Sequence, residues 1–252
     1  MKKNVRLLGA VILLLVILAS CAGGGWLWYD NNVDRSGWVE KDGIRYYRDF
    51  HADPVSGWLE LEDGVYYFHD DGTPHTGWQE IDGLTYYFDG TGRMHTGWLE
   101  DGGKVCYMGG NGVRVEGWLW LGENRYFLQD GVLLTGWQTI DGEQYYFDGT
   151  GVMALGFTEI DGSTYYFDDG VMLTGVQTVG EHQYDFQEDG VMYTGWQEQE
   201  ENRLYFRADG TQAFGWEEID EKRYFFDEEG HLCLDRWVQD GEYRYYIFGD
   251  GT

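Results

Sequence analysis

A Gly-Trp pair returns every 19 to 21 residues along this chain, and so short a period leaves few folds open. Taking the tryptophan place as position 0 of each repeat, it falls at Trp38, Trp58, Trp78, Trp98, Trp118 and Trp137. Phe157 and Val176 fill the next two places, and Trp196, Trp216 and Trp237 complete the series. Position 8 is Tyr46, Tyr66, Tyr86, Tyr126, Tyr145, Tyr165, Tyr184, Tyr224 and Tyr245, with Cys106 and Leu204 as its two exceptions. Position 10 is most often phenylalanine, from Phe68 to Phe226. Eleven such repeats run from Gly37 to the end, and residues 26–38 read as the second half of a repeat ahead of them.

Each repeat holds two short segments parted by a turn. "WQEI" and "TYYFD" flank Asp82-Gly83, and Asp42-Gly43, Asp141-Gly142 and Asp161-Gly162 repeat the device. Asp-Gly suits a type I′ turn, which needs positive φ at both central residues, so each repeat is expected to be a β-hairpin. The second connection, as in "GTGRMHTG", is rich in glycine. It carries an apolar residue four places before the next tryptophan: Met94, Leu133, Met153, Met172 and Met192. A lone hairpin cannot bury its apolar face, whereas stacked hairpins cover one another. The expected fold is therefore all-β, an elongated β-solenoid of about eleven stacked hairpins over residues 26–252. In it, Gly-Trp marks where each hairpin enters a shared aromatic seam, with glycine permitting the sharp approach.

Composition agrees: 39 Gly and 20 Tyr with only 2 Pro suit many short strands and tight turns rather than disorder. The net charge of -28 argues against nucleic acid as a partner and against adsorption onto anionic lipid. The opening is different in kind. "MKKNVR" is basic, "LLGAVILLLVILAS" is apolar but shorter than the roughly 20 residues of a spanning helix, and Cys21 follows. "LASC" (18–21) resembles the lipobox of bacterial lipoproteins, which implies a signal peptide over 1–20, acylation of Cys21, and a Gly-rich tether over 21–25. Cys106 and Cys233 occupy unlike places in their repeats and read as two separate buried thiols.

The repeats resemble the cell-wall-binding or choline-binding repeat family. They are nearer still to the glucan-binding and clostridial-toxin short repeats, as in "GWQTIDGEQYYFDGTG" (136–151). The resemblance implies stacked hairpins that bind choline or carbohydrate in the grooves between them. It also implies an aromatic at position 7 as one wall of a choline cage. Here position 7 is Arg45, Val65, Thr85, Val105, Arg125, Gln144, Thr164, Gln183, Arg203, Arg223 and Arg244, none aromatic. Choline is therefore expected to be a weak ligand or none, and glycan or teichoic-acid polymer is expected first. The candidate contacts are Trp78 with Tyr86, Met94 and Trp98, then Trp137 with Tyr145 and Met153, and Trp196. Trp120, outside the repeat pattern, is expected to be an exposed binding aromatic. For any repeat aromatic, core packing is the competing role.

No nucleophile–base set, calcium-loop spacing or metal-ligand spacing stands outside the repeats, so a non-catalytic protein without cofactor or metal is expected. Its partners would be a cell-surface polysaccharide, or teichoic acid, and the membrane through the lipid anchor. Two alternatives stay open: a structural spacer or adhesin without a small-ligand pocket, and a choline-binding protein.

Overall fold

The computed structural model describes residues 35–199, 202–249 and 251. The signal peptide, Cys21, the tether and most of the leading half-repeat lie outside the described residues. Among the described residues, the secondary structure consists of 24 strands and no helix. Eleven antiparallel hairpins, one per repeat, from Gly37–Lys41 with Ile44–Arg48 to Arg236–Asp240 with Tyr243–Ile247, supply 22 of them, and the short strands Val132–Leu133 and Val171–Met172 each add a third strand to one hairpin. The all-β class and the repeat count agree with the sequence. The residues form two compact units, one reaching Gly77 and taking in Phe88–Met94, the other made of Trp78–Tyr87 and everything from His95 on.

The turns are those the dipeptides require. Asp42, Asp82, Asp141 and Asp161 have φ of 52–55°, and the glycine after each is also positive. The glycine before each tryptophan adopts positive φ as well, for example 84° at Gly97 and 71° at Gly136, yet a Cβ added there would meet nothing within 4 Å. Glycine is needed at this place for backbone conformation, and not for a close approach. Close approach belongs to the loop glycine instead. A Cβ on Gly92 would collide with Pro74, one on Gly151 with Leu133, and one on Gly170 with Met153. Each is the residue four places before the tryptophan, on the preceding loop.

Register explains which rings are buried. Position 0 lies opposite position 9, as Trp137 opposite Tyr146, while position 10 lies opposite the glycine, as Phe147 opposite Gly136. Side chains alternate across a strand, so positions 0, 2, 7 and 9 share one face of the hairpin. Positions 1, 3, 8 and 10 share the other. The second face carries the core: Phe88, Phe147 and Phe226 at position 10 are 0% exposed, and Ile81, Ile140, Ile160 and Ile219 at position 3 are buried. Trp137, by contrast, remains 40% exposed. The buried seam is thus the phenylalanine row rather than the tryptophan row. The tryptophans roof it, because the position-0 face of one hairpin packs on the position-10 face of the next. Trp137 lies 5.9 Å from Phe167 and Trp196 lies 5.9 Å from Phe226, between ring centroids.

Backbone bonds lock the stack. Met153 N–H donates to the carbonyl of Arg125 at 2.9 Å, Met192 to Thr164 at 2.8 Å, and Leu232 to Arg203 at 2.8 Å. Each acceptor is position 7 of the preceding hairpin, so this backbone place is pinned whatever its side chain. The loops are fastened within themselves by aspartate. Asp148 accepts from the Thr150 amide and hydroxyl at 2.7 Å each and from Val152 N–H at 3.0 Å. In Asp209 the Thr211 hydroxyl and amide hold the carboxyl below the ordinary aspartate range. Cys106 and Cys233 are buried free thiols, as their repeat positions suggest.

Candidate functional site

The recurring surface feature is a three-ring corner on the position-0 face. In a complete corner the position-0 ring meets the position-9 ring across its own hairpin and the position-8 tyrosine of the next hairpin. Trp98 lies 4.9 Å from Tyr107 and 5.1 Å from Tyr126, both edge-on. Trp137 lies 5.1 Å from Tyr146 and 4.9 Å from Tyr165. Phe157 takes the same place with Tyr166 at 4.8 Å and Tyr184 at 5.0 Å. These three position-0 rings keep 38–46% of their surface exposed. An aromatic face flanked by two more ring edges accepts a compact cation or a patch of C–H surface.

These corners regroup the candidates expected from the sequence. Tyr145 does not join Trp137: it lies opposite Gln138, on the other face, and packs 5.2 Å from Trp118. The reason is strand alternation, which sends positions 8 and 0 of one hairpin to opposite sides. Burial raises the Tyr145 phenol pKa, helped by the nearby Glu143 carboxylate, and burial does the same for Tyr86. Met153 is 4% exposed in a core cluster with Ile140 and Phe147, so its side chain serves packing. Met94 is half-buried and bridges Phe88 through its backbone. Trp120 is 59% exposed, 6.1 Å from Trp118, as its place outside the pattern suggests. His95, three places before Trp98, binds the Trp98 carbonyl at 2.9 Å, and Tyr193 hydroxyl donates likewise to Trp196 at 3.0 Å. These loop side chains brace the tryptophan strand.

Trp78 and Trp196 depart from the open corner in different ways. Trp78 meets Tyr87 at 5.1 Å and donates its indole N–H to Asp101 at 2.8 Å. Cys106 stands where the next hairpin would bring tyrosine, and the missing ring leaves a cavity of about 280 Å³ lined also by Lys104 and Arg114. Burial pushes the Cys106 thiol pKa up, which keeps it protonated and unreactive. Trp196 has its full corner, Tyr205 at 5.1 Å and Tyr224 at 5.0 Å, but the Arg203 guanidinium lies 4.1 Å over the ring. Arg45 over Trp38 at 3.6 Å and Arg223 over Trp216 at 4.6 Å repeat this. The sequence shows five arginines at position 7 but not that their side chains lie on the tryptophan. The signal is present nonetheless: positions 0 and 7 share a face and sit diagonally across the hairpin.

Asp227, Glu229 and His231 bring ligand atoms within 4.8 Å of one another. Asp227, however, already accepts from the Glu229 and His231 amides and from Arg236. It is a loop fastener of the same kind as Asp148.

Comparison with known proteins agrees with this architecture. No curated protein matches the chain by sequence. Among solved structures, CbpJ of Streptococcus pneumoniae superimposes with a TM-score of 0.62 at 23% identity, over 86% of this chain and 99% of that one. Choline-binding protein F of Streptococcus pneumoniae gives 0.61 at 25% identity, over 87% and 99%. The choline-binding domain of CbpL from Streptococcus pneumoniae gives 0.50 at 26% identity, over 71% and 96%. The choline-binding repeat model matches residues 75–116, 134–174 and 193–237, together about half of the chain. On the strength of that match, the chain belongs to the choline-binding repeat family.

Proposed function

We propose that this protein is a non-catalytic, extracytoplasmic binding module that holds choline groups on a cell-surface polymer of the teichoic-acid kind. One observation carries the reading: in four repeats the protein seats its own guanidinium cation over the position-0 ring, at 3.6–5.4 Å. A face that accepts a guanidinium also attracts a quaternary ammonium, which has no donors and is held by cation–π attraction and dispersion. Trp98, Trp137 and Phe157 offer the same face without an arginine at position 7, having Val105, Gln144 and Thr164 there. The position-8 tyrosine of the next hairpin supplies the wall that position 7 lacks. This revises the expectation of weak or absent choline binding, which counted walls within one repeat. The net charge of -28 further concentrates cations at the surface.

Equilibrium dialysis with free choline tests the proposal. The wild-type chain is expected to bind choline, and Trp137→Ala to lose one site per chain while staying folded. Absence of choline binding by the wild type sinks the reading. Retention on choline-free glycan, abolished by Trp120→Ala, would favour the carbohydrate reading that the exposed Trp120 ring supports.

The position of the module rests on "LASC" and the apolar run before it. In this proposal Cys21 carries the lipid anchor, and the repeats are held at the outer membrane face. Cys21→Ser is expected to move the protein from the membrane to the soluble fraction. Unchanged membrane retention, with normal processing, would overturn the anchor.

A further inference from the structure

We infer that the position-7 arginines act as internal ligands that close some aromatic corners, so that position 7 sets how many cation sites the chain offers. The inference rests on the choline reading and adds to it a division among repeats.

The geometry is the same in three places. Trp38, Trp196 and Trp216 each have both flanking rings, at 5.0–5.3 Å, and each has the guanidinium of Arg45, Arg203 or Arg223 above the indole. Their rings are half-buried, whereas Trp98 and Trp137, with Val105 and Gln144 at position 7, are exposed. Trp118 has both flanking rings and is half-buried as well, so the closed corners are marked by the stacked guanidinium itself and not by ring exposure alone. A planar guanidinium stacked on indole occupies the space and the electrostatic potential that an ammonium would need.

The backbone holds the arginine in place. The carbonyl of Arg203 accepts from Leu232 N–H at 2.8 Å, which fixes the strand, and Glu198 pairs with the guanidinium at 2.7 Å from directly across the hairpin. Glu40 and Glu218 lie opposite Arg45 and Arg223 in the same register. Arg125 is drawn elsewhere by a competing carboxylate. It pairs with Asp169, and Trp120 rather than glutamate lies opposite it. Trp118 accordingly has no guanidinium stacked on it among the described contacts. A position-7 guanidinium therefore stacks at 3.6–4.6 Å where glutamate faces it across the hairpin, and lies farther off, at 5.4 Å over Trp237, where Gln239 faces Arg244.

Two reciprocal variants test this, each borrowing residues the protein already uses at these places. Arg203→Gln reproduces position 7 of the Trp137 repeat, and Gln144→Arg with Thr139→Glu reproduces the Arg203–Glu198 pair of the Trp196 repeat, since Thr139 faces Gln144 across its hairpin. Choline stoichiometry is read by equilibrium dialysis on the full chain, with circular dichroism to verify folding. Arg203→Gln is expected to gain one site per chain and the Thr139→Glu, Gln144→Arg double variant to lose one. A wild-type site number in either folded variant overturns the inference, even though wild-type choline binding would leave the proposed function standing. Binding by Arg203→Gln but not by the wild type would support the inference and remove the claim that the Trp98, Trp137 and Phe157 corners are open. Absence of binding in both overturns inference and function together.

Discussion

Replacing Gly92 with alanine is expected to lower stability by about 3 kcal/mol, from two additive causes. Gly92 has φ of 85°, where an L side chain costs about 1–2 kcal/mol. Its new Cβ would also overlap Pro74, coming within 2.9 Å of Cγ and closer still to Cβ. Most loop glycines of this kind face a Met, Arg, Leu or Gln side chain, whose far atoms can swing away. Pro74 cannot, because its ring ties the side chain to the backbone. Overpacking of a rigid contact adds a further 1–3 kcal/mol or so. Gly97→Ala isolates the first cause, since Gly97 has φ of 84° but open space around its missing Cβ. Chemical denaturation of the two variants should therefore differ by roughly 1–3 kcal/mol. Equal losses would mean that the loops do not pack as closely as the structure places them.

Phe147→Ala should be at least as damaging, at about 3–5 kcal/mol. Phe147 is 0% exposed between Ile140 and Met153, with Trp118 of the previous hairpin roofing it at 6.3 Å. Truncation removes its transfer free energy and leaves a cavity that three elements would have to collapse into. In a repeat stack the loss extends to the neighbouring interfaces, because stability is a sum of repeat and nearest-neighbour terms. Unfolding should lose cooperativity, and limited proteolysis should cut first between Trp118 and Phe167. Trp137→Ala is the contrast, since a ring that is 40% exposed loses less burial. If Trp137→Ala proves more destabilising than Phe147→Ala, the tryptophan row, and not the phenylalanine row, is the core.

That contrast marks the boundary of what the sequence discloses. Position 10 is visible as a phenylalanine series, and position 0 as a tryptophan series, but nothing in a one-dimensional period ranks their burial. Ring size suggests tryptophan as the seam. Pairing with glycine puts position 10 on the inward face and leaves position 0 to cover it. The candidate sites suffer from the same limit. Sequence groups Tyr145 with Trp137 because the two share a repeat, whereas Trp137 meets Tyr165 of the next repeat. Partners 28 residues apart do not appear in a 20-residue unit read alone.

The sequence by itself determined the hairpin, because Asp-Gly turns and two-residue alternation are local properties of a few adjacent residues. It likewise determined the repeat number, the all-β class and the five arginines at position 7, all of which are counts along a line. Only the tertiary structure decided which tryptophans remain open. Trp137 and Trp196 stand in nearly the same local sequence, "TGWQ", and differ in whether a guanidinium reaches the ring. That outcome depends on side chains meeting across a hairpin and between hairpins, where distance in space no longer tracks distance along the chain.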